Sequence, residues 1–242
     1  NILVSDKGYP GIILLNHCHN IRINTHQDPP GVYAESGANL SNLARQSALR
    51  GLSGLEWAGS VPGSVGGAVY GNAGAFGSDI SKSLVSIQAL LRGEGEKTLS
   101  AEDLQFSYRS SILKRERKEV LILSATMKAA QSTREAAWKT LMEISDKRQA
   151  TQPTGASTGS TFKNPPGDHA GRLIEAAGLK GLQVGHAQFS TLHANFIVND
   201  GNSSAQEYLT LIRTAQKTVK EKFGVQLQLE IELIGEFDDD DA

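Results

Sequence analysis

Nine of the twenty-seven residues from Gly51 to Gly77 (GLSGLEWAGSVPGSVGGAVYGNAGAFG) are glycine, and no other stretch of the chain restricts its fold as strongly. Glycine at this density serves turns that need positive φ, or lets main-chain N–H groups approach a ligand that side chains would block. The second use favours an anion. Gly63, Ser64, Gly66 and Gly67 can offer a concave row of donors, and Asn72, Ala73 and Gly74 can continue the wall. The run is not a G-x-G-x-x-G after a strand and has no Walker lysine, so the fingerprints of the two commonest nucleotide folds are missing. Tight turns on the rim of a sheet are the plain alternative.

Composition excludes several classes. With 242 residues, 39% of them hydrophobic, the chain can bury one large core or two of ordinary size. No window approaches eighteen consecutive apolar residues, so no membrane partner is expected. Cys18 is the only cysteine, which excludes an internal disulfide and fits a reducing, cytoplasmic compartment. The net charge of −2 includes the acidic tail at 238–242, read as a solvated end, and no basic run stands elsewhere. Nucleic acid is therefore not an expected partner. Around Cys18, strand alternation puts only His17 and His19 on one face, with no further Cys or His pair nearby, so no metal site is expected. The opening on Asn1 inside an apolar run, without Met, reads as a cut start.

Taken in order, Ile2–Val4 and Ile12–Leu15 read as short strands around the turn at Lys7–Gly11. Val32–Ser36 is a further strand, and Asn39–Arg50 a helix with Leu40, Leu43, Ala44 and Ala48 inward and Gly51 just beyond its end. Leu84–Arg92 and Glu119–Lys128 read as strands, with a capped turn at Ser100–Leu104. Ser132 opens a helix through a capping box with Glu135, and its buried stripe is Ala137, Trp138, Leu141 and Ile144. The helix is expected to end near Arg148. Pro153 and Gly155 then interrupt both periods, which makes 149–155 the candidate domain junction. Beyond it come a helix at Ala170–Ala177 stopped by Gly178, a strand at Phe196–Val198, and a long helix opened by Ser204 with Glu207. Its core stripe is Tyr208, Leu211, Ile212, Ala215, Val219 and Phe223. Gln226–Ile234 alternates as a strand.

Chemistry concentrates in three places. Ser157–Pro165 packs four hydroxyls, an amide and a cation around Gly159, a loop that can hold a polar ligand and supply a proton. It is neither a G-x-S-x-G elbow nor an S-x-x-K motif, so a nucleophile is unsupported. Arg109, beside Tyr108, can clamp a carboxylate or phosphate with its fork, although a surface arginine has the same local sequence. Glu230 is either solvated or a carboxyl whose surroundings let it act as an acid.

Together these motifs resemble the UDP-N-acetylenolpyruvoylglucosamine reductase (UDP-N-acetylmuramate dehydrogenase) family. The likeness runs through Asn1–Asp6, Gly51–Glu56, Val61–Ala68, Asn72–Gly77, Tyr108–Ser111, Gly159–Pro165, Ala170–Glu175, His193–Phe196 and Leu229–Ile231, in the family's order. It implies an α+β chain: an FAD-binding domain of the vanillyl-alcohol-oxidase (PCMH) type at 16–150, with 1–15 a remnant of its N-terminal subdomain, followed by a smaller α+β substrate-binding domain at 151–237. It further implies an oxidoreductase of peptidoglycan synthesis that uses FAD, with NADPH as co-substrate, to reduce UDP-N-acetylglucosamine enolpyruvate, working as a cytoplasmic monomer. The alternatives are another FAD oxidoreductase on this scaffold or a cofactor-free UDP-sugar binding module. On the resemblance, Ser160 protonates C2 of the enolpyruvyl ether, and Arg109 and Glu230 stabilise the developing enolate. Tyr108, Lys163 and Asn164 contact the substrate, and Gly63, Ser64, Gly66, Gly67, Asn72, Ala73 and Gly74 line the FAD site. The short interval from Arg109 to Ser160 resembles the class without an inserted tyrosine-bearing loop. Tyr70 and Val61 depart from the family's usual Met and Ile, and relatives carry a glycine-rich turn just ahead of the position of Asn1.

Overall fold

The computed structural model describes residues 1–237, so the acidic tail lies outside the described residues. Contacts divide the chain into a middle unit, Leu14–Arg148, and a terminal unit that joins Asn1–Ile13 to the chain from Gln149 onward.

The first strand, β1 (Ile2–Val4), belongs to the terminal unit. In the middle unit, β2 (Ile21–Asn24), β3 (Gly31–Glu35), β4 (Leu84–Leu91), β5 (Gly95–Ser100) and β6 (Val120–Lys128) form a five-stranded sheet. Its order is β2-β3-β6-β4-β5, and every pairing is antiparallel. Period-two burial puts Val32 and Ala34, Ile87 and Ala89, and Ala125 and Met127 on the core side. Against them lies α1 (Leu40–Leu49), which buries Leu40, Leu43, Ala44 and Ala48 as its 3.6-residue period requires. The Asn39 side chain caps it by accepting from the Asn42 N–H at 2.9 Å. The glycine stretch holds a helix that periodicity does not reveal, α2 (Val65–Gly71). The last helix to begin here, α3 (Arg134–Thr151), starts later than expected, and Thr133 Oγ1 accepts from the Ala136 N–H at 3.1 Å where Ser132 was expected to cap. Ala137 and Leu141 are buried as read, and Ile144 gives way to Ser145.

The terminal unit adds β7 (Ala156–Ser160), α4 (Ala170–Ala176), β8 (Gln183–Val184), β9 (Ala187–Phe189), β10 (Phe196–Asn199), α5 (Ala205–Phe223) and β11 (Glu232–Ile234). Four strands pair antiparallel in the order β7-β10-β9-β8. Their core combines Phe162, Leu173, Ile174, Phe189, Leu211 and Ile212. The capping box of Ser204 and Glu207 is present, and Tyr208, Leu211, Ile212, Ala215 and Val219 are buried, whereas Phe223, the last helical residue before the Gly224 cap, is 40% exposed.

One expectation about the chain's start meets a different fact. Ile12–Leu15 is not a strand: it is irregular and exposed, Ile12 at 86% and Leu14 at 83%. By contacts, residues 1–13 group with the terminal unit, because β1 runs parallel to β11, Ile2 opposite Glu232 and Val4 opposite Ile234. The Asp6 carboxylate also accepts from the Ala205 and Gln206 N–H groups at 2.8 and 3.0 Å, capping α5 a second time. At the other end, Gln226–Ile234 is strand only over Glu232–Ile234. Before that its backbone bonds to the segment after β7, which breaks the regular alternation.

Candidate active site

In the middle unit the glycine stretch is organised by α2. Ser64 caps it, with Oγ accepting from the Gly67 N–H at 3.2 Å. The Val65 N–H donates to Ala38 O at 2.9 Å and the Gly66 N–H to Ser36 O at 2.8 Å. This corrects the expected row of donors: Val65 and Gly66 spend their N–H groups locking α2 onto the β3–α1 loop, and Gly67 spends its own on the Ser64 cap. Gly66 must be glycine for the same reason, since a Cβ there would lie 2.9 Å from Ser36 Cβ. What the stretch leaves open is surface. Gly63 and Gly67 are exposed; Gly63 has φ +119 and nothing within 4 Å of where a Cβ would be. Two polar atoms in the stretch, Trp57 Nε1 and Ser60 Oγ, are buried without a hydrogen-bond partner. A backbone surface free of side chains, next to buried polar atoms that lack a partner, fits a flat polar ring system. On that observation the residues present suit a flavin.

Asn72 ends α2 in the left-handed region (φ 45) and is 3% exposed. Its Nδ2 donates to Ser107 O at 3.0 Å and its Oδ1 accepts from the Ser81 N–H at 3.2 Å. Ser111 Oγ donates to Tyr70 O at 2.7 Å. These bonds staple the Arg109 hairpin to α2. Ser107 and Ser110 exchange backbone bonds of 3.0 and 3.1 Å, leaving Tyr108 and Arg109 as a two-residue turn in which Arg109 takes φ 54. A side chain in that region costs about 1–2 kcal/mol, so the staples must hold it. The Arg109 guanidinium lies 5.4 Å from the centre of the Tyr108 ring, a cation–π distance. Ala73 and Gly74 continue from Asn72: the Ala73 N–H donates to Ala68 O at 2.8 Å, and Gly74 pairs with Asp79 in a small hairpin.

The terminal unit brings together Ser160, Lys163 and Glu230. After β7 the chain runs between two neighbours. On one side the Thr161 N–H donates to Asn195 O at 2.8 Å. On the other, the Glu230 N–H donates to Thr161 O at 2.9 Å and the Lys163 N–H to Gln228 O at 2.8 Å. Ser160 and Glu230 are both half-buried, on adjacent backbone segments. Gly159 has φ +82, and a Cβ on it would lie 3.2 Å from the Asn1 amide nitrogen, so the first residue of β1's segment borders the site. Asn164 Oδ1 accepts from the Ala170 N–H at 3.0 Å and thereby caps α4. Thr161 and Thr158 each bury an Oγ1 that has no hydrogen-bond partner. Arg109 is in the other unit. Sequence reasoning missed the parts of Asn195, Ser111 and Asp6, since a single polar residue bonded to a distant backbone leaves no periodic trace.

Residues 150–234 match the family model for the C-terminal domain of UDP-N-acetylenolpyruvoylglucosamine reductase, and residues 3–98 match that for an FAD binding domain. A reductase of that name from Chloroflexus aggregans is 41% identical over 237 residues, covering 97% of this chain and 80% of the relative. The chain belongs to the UDP-N-acetylenolpyruvoylglucosamine reductase family. The Bacillus subtilis reductase is likewise 41% identical, over 97% of this chain and 77% of its own length. The crystal structure of the family member from Thermus caldophilus superimposes with a TM-score of 0.74 at 36% identity, covering 84% of this chain and 72% of that one. The fold is thus an FAD-binding domain followed by the reductase C-terminal domain, and FAD is the cofactor. Membership does not favour the alternative of another flavin enzyme or of a binding module without cofactor. Among the described residues no helix is long and apolar enough to cross a membrane.

Proposed function

We propose that this chain reduces UDP-N-acetylglucosamine enolpyruvate to UDP-N-acetylmuramate with NADPH, as a cytoplasmic monomer. The observation that carries the reading is that Ser160 and Glu230 lie on neighbouring segments joined by the Glu230 N–H to Thr161 O bond, within the part of the chain that matches the reductase C-terminal domain. FAD, held on the surface formed by Gly63, Ser64, Gly66, Gly67, Ala73 and Gly74, would supply hydride transfer between NADPH and the vinyl carbon of the substrate. Hydride addition there leaves negative charge on C2 and the attached carboxylate. The Ser160 hydroxyl delivers the proton that C2 then needs, a general-acid role typically worth 10²–10⁴-fold. Arg109 presents a planar fork to the carboxylate, so its charge acts where charge develops. Glu230 acts on the same carboxylate from the strip beside Ser160. Tyr108, Lys163 and Asn164 bind the sugar nucleotide, Asn164 from a loop whose shape its own cap to α4 maintains. Gly63, Ser64, Gly66, Gly67, Ala73 and Gly74 form the flavin surface, with Asn72 as the residue that fixes it to the Arg109 hairpin.

The test is NADPH oxidation with and without the enolpyruvyl sugar, with the product identified by mass. One product gaining two hydrogens per NADPH supports the reading. NADPH consumption that ignores the sugar and follows oxygen sinks it.

A further inference from the structure

We infer that Asn195 is a positioning residue for Ser160 and Glu230, an inference that rests on the roles proposed for those two residues. The β7–β10 ladder is irregular where it approaches Ser160. Ser157 pairs with Val198 and Ser160 with Phe196, so β7 carries one extra residue between the two pairs. The chain absorbs it at Gly159, φ +82. A bulge re-aims the side chain beside it and leaves the following residues without regular ladder partners. Asn195 takes over where the ladder stops. Its carbonyl accepts from the Thr161 N–H at 2.8 Å, its Oδ1 accepts from the Phe162 N–H at 3.0 Å, and its Nδ2 donates to Phe162 O at 2.8 Å. One side-chain amide thus pairs with both backbone groups of a single residue, as a neighbouring strand would.

The other edge of the same strip is bonded to Gln228–Glu230, through the Glu230 N–H to Thr161 O and the Lys163 N–H to Gln228 O. Asn195 therefore fixes one edge of a strip that begins at Ser160 and carries Glu230 on its other edge. The residue is 4% exposed and Phe162 is fully buried, so water cannot readily replace the lost bonds. Asn195 is itself held by His193. That ring's Nδ1 accepts from the Asn195 N–H at 3.2 Å, which puts the ring proton on Nε2, and the ring packs edge-on to Phe196 with centroids 5.0 Å apart. Truncating Asn195 leaves the Phe162 N–H and C=O unpaired and lets the strip shift, and a shift of about 1 Å at a reacting group costs on the order of 10²-fold in rate.

The test uses the FAD-loaded protein. Asn195→Ala is expected to slow substrate-driven flavin reoxidation by roughly 10²-fold while leaving NADPH-driven flavin reduction unchanged. In the background of Ser160→Ala it is expected to add no further slowing. Amide hydrogen exchange, which needs no turnover, is expected to accelerate at Phe162, Lys163 and Glu230. If the alanine variant does not fold, Asn195→Asp keeps the shape and removes the donor to Phe162 O, and the same three readouts apply. Reoxidation at the wild-type rate alongside faster exchange at Phe162 would overturn the inference, as would equal slowing of both half-reactions. Normal turnover by Ser160→Ala removes the proton-donor reading itself. Slow turnover by Ser160→Ala with normal turnover by Asn195→Ala removes only the part assigned to Asn195.

Discussion

The hairpin that carries Arg109 is tied down by side-chain staples, Asn72 reaching in to Ser107 O and Ser111 reaching out to Tyr70 O, whereas the strip that carries Ser160 is bonded along both edges, mostly by backbone. The hairpin also holds Arg109 at φ 54, and Ser160 follows a glycine that takes the positive φ in its place. A ladder keeps its bonds when side chains change, and a stapled loop does not. The middle unit should therefore be sensitive at its staples. The terminal unit should tolerate most changes near Ser160 and be sensitive where a side chain replaces the ladder, at Asn195.

Ser160→Ala gives the largest expected effect: substrate-driven flavin reoxidation falls by roughly 10³-fold while reduction by NADPH is untouched, as rapid-mixing absorbance would show. Arg109→Lys keeps the charge and loses the fork, for an expected loss on the order of 10²-fold in the same half-reaction. An equally fast Lys variant would mean that the strained turn serves no geometric purpose. Asn72→Ala removes the partners of Ser107 O and the Ser81 N–H and should cost about 2–3 kcal/mol in urea unfolding; a cost under about 0.5 kcal/mol breaks the contrast between staple and ladder. Asp6→Ala removes one of two caps on α5, and since Ser204 and Glu207 remain, about 1 kcal/mol is expected by the same measurement.

The smallest expected effect is on pH dependence. Burial, chiefly, pushes the half-buried His193 imidazole below its ordinary value. The unfolded chain then binds a proton near pH 6.5 that the folded one refuses, so stability declines as pH falls from about 6.5 toward the depressed value. His193→Gln should flatten that part of the profile. The Asp168 carboxylate, held down to about 2 first by its hydrogen bond from Arg172 and then by the His169 N–H, works in a separate window. Its contribution is present above the ordinary aspartate range and lost as pH falls toward 2. Urea titrations across pH on the two variants, His193→Gln and Asp168→Asn, separate these windows.

Much of this architecture was legible because α1 and α5 announce themselves twice, by an apolar period and by a cap, Asn39 for one and Ser204 with Glu207 for the other. Strands β4 and β6 were legible from β-branched and aliphatic runs between turns. Helix α2 was hidden because glycine suppresses both propensity and period, and its existence depends on the bonds from Val65 and Gly66 to the β3–α1 loop. Ser160, Arg109 and Glu230 could be singled out by residue type, but only the resemblance gave them roles. Asn72 was read as part of a ligand wall, and its amide instead joins two loops. The parallel pairing of β1 with β11 links the two ends of the chain, which no local pattern encodes.

The most direct test of the central claim is to reduce the FAD-loaded protein with NADPH in the absence of oxygen and then mix it with UDP-N-acetylglucosamine enolpyruvate while following the oxidised flavin band. The band is expected to return in wild type and to stay absent in Ser160→Ala. A wild-type flavin that remains reduced, or a Ser160→Ala flavin that reoxidises as fast as wild type, would contradict the account.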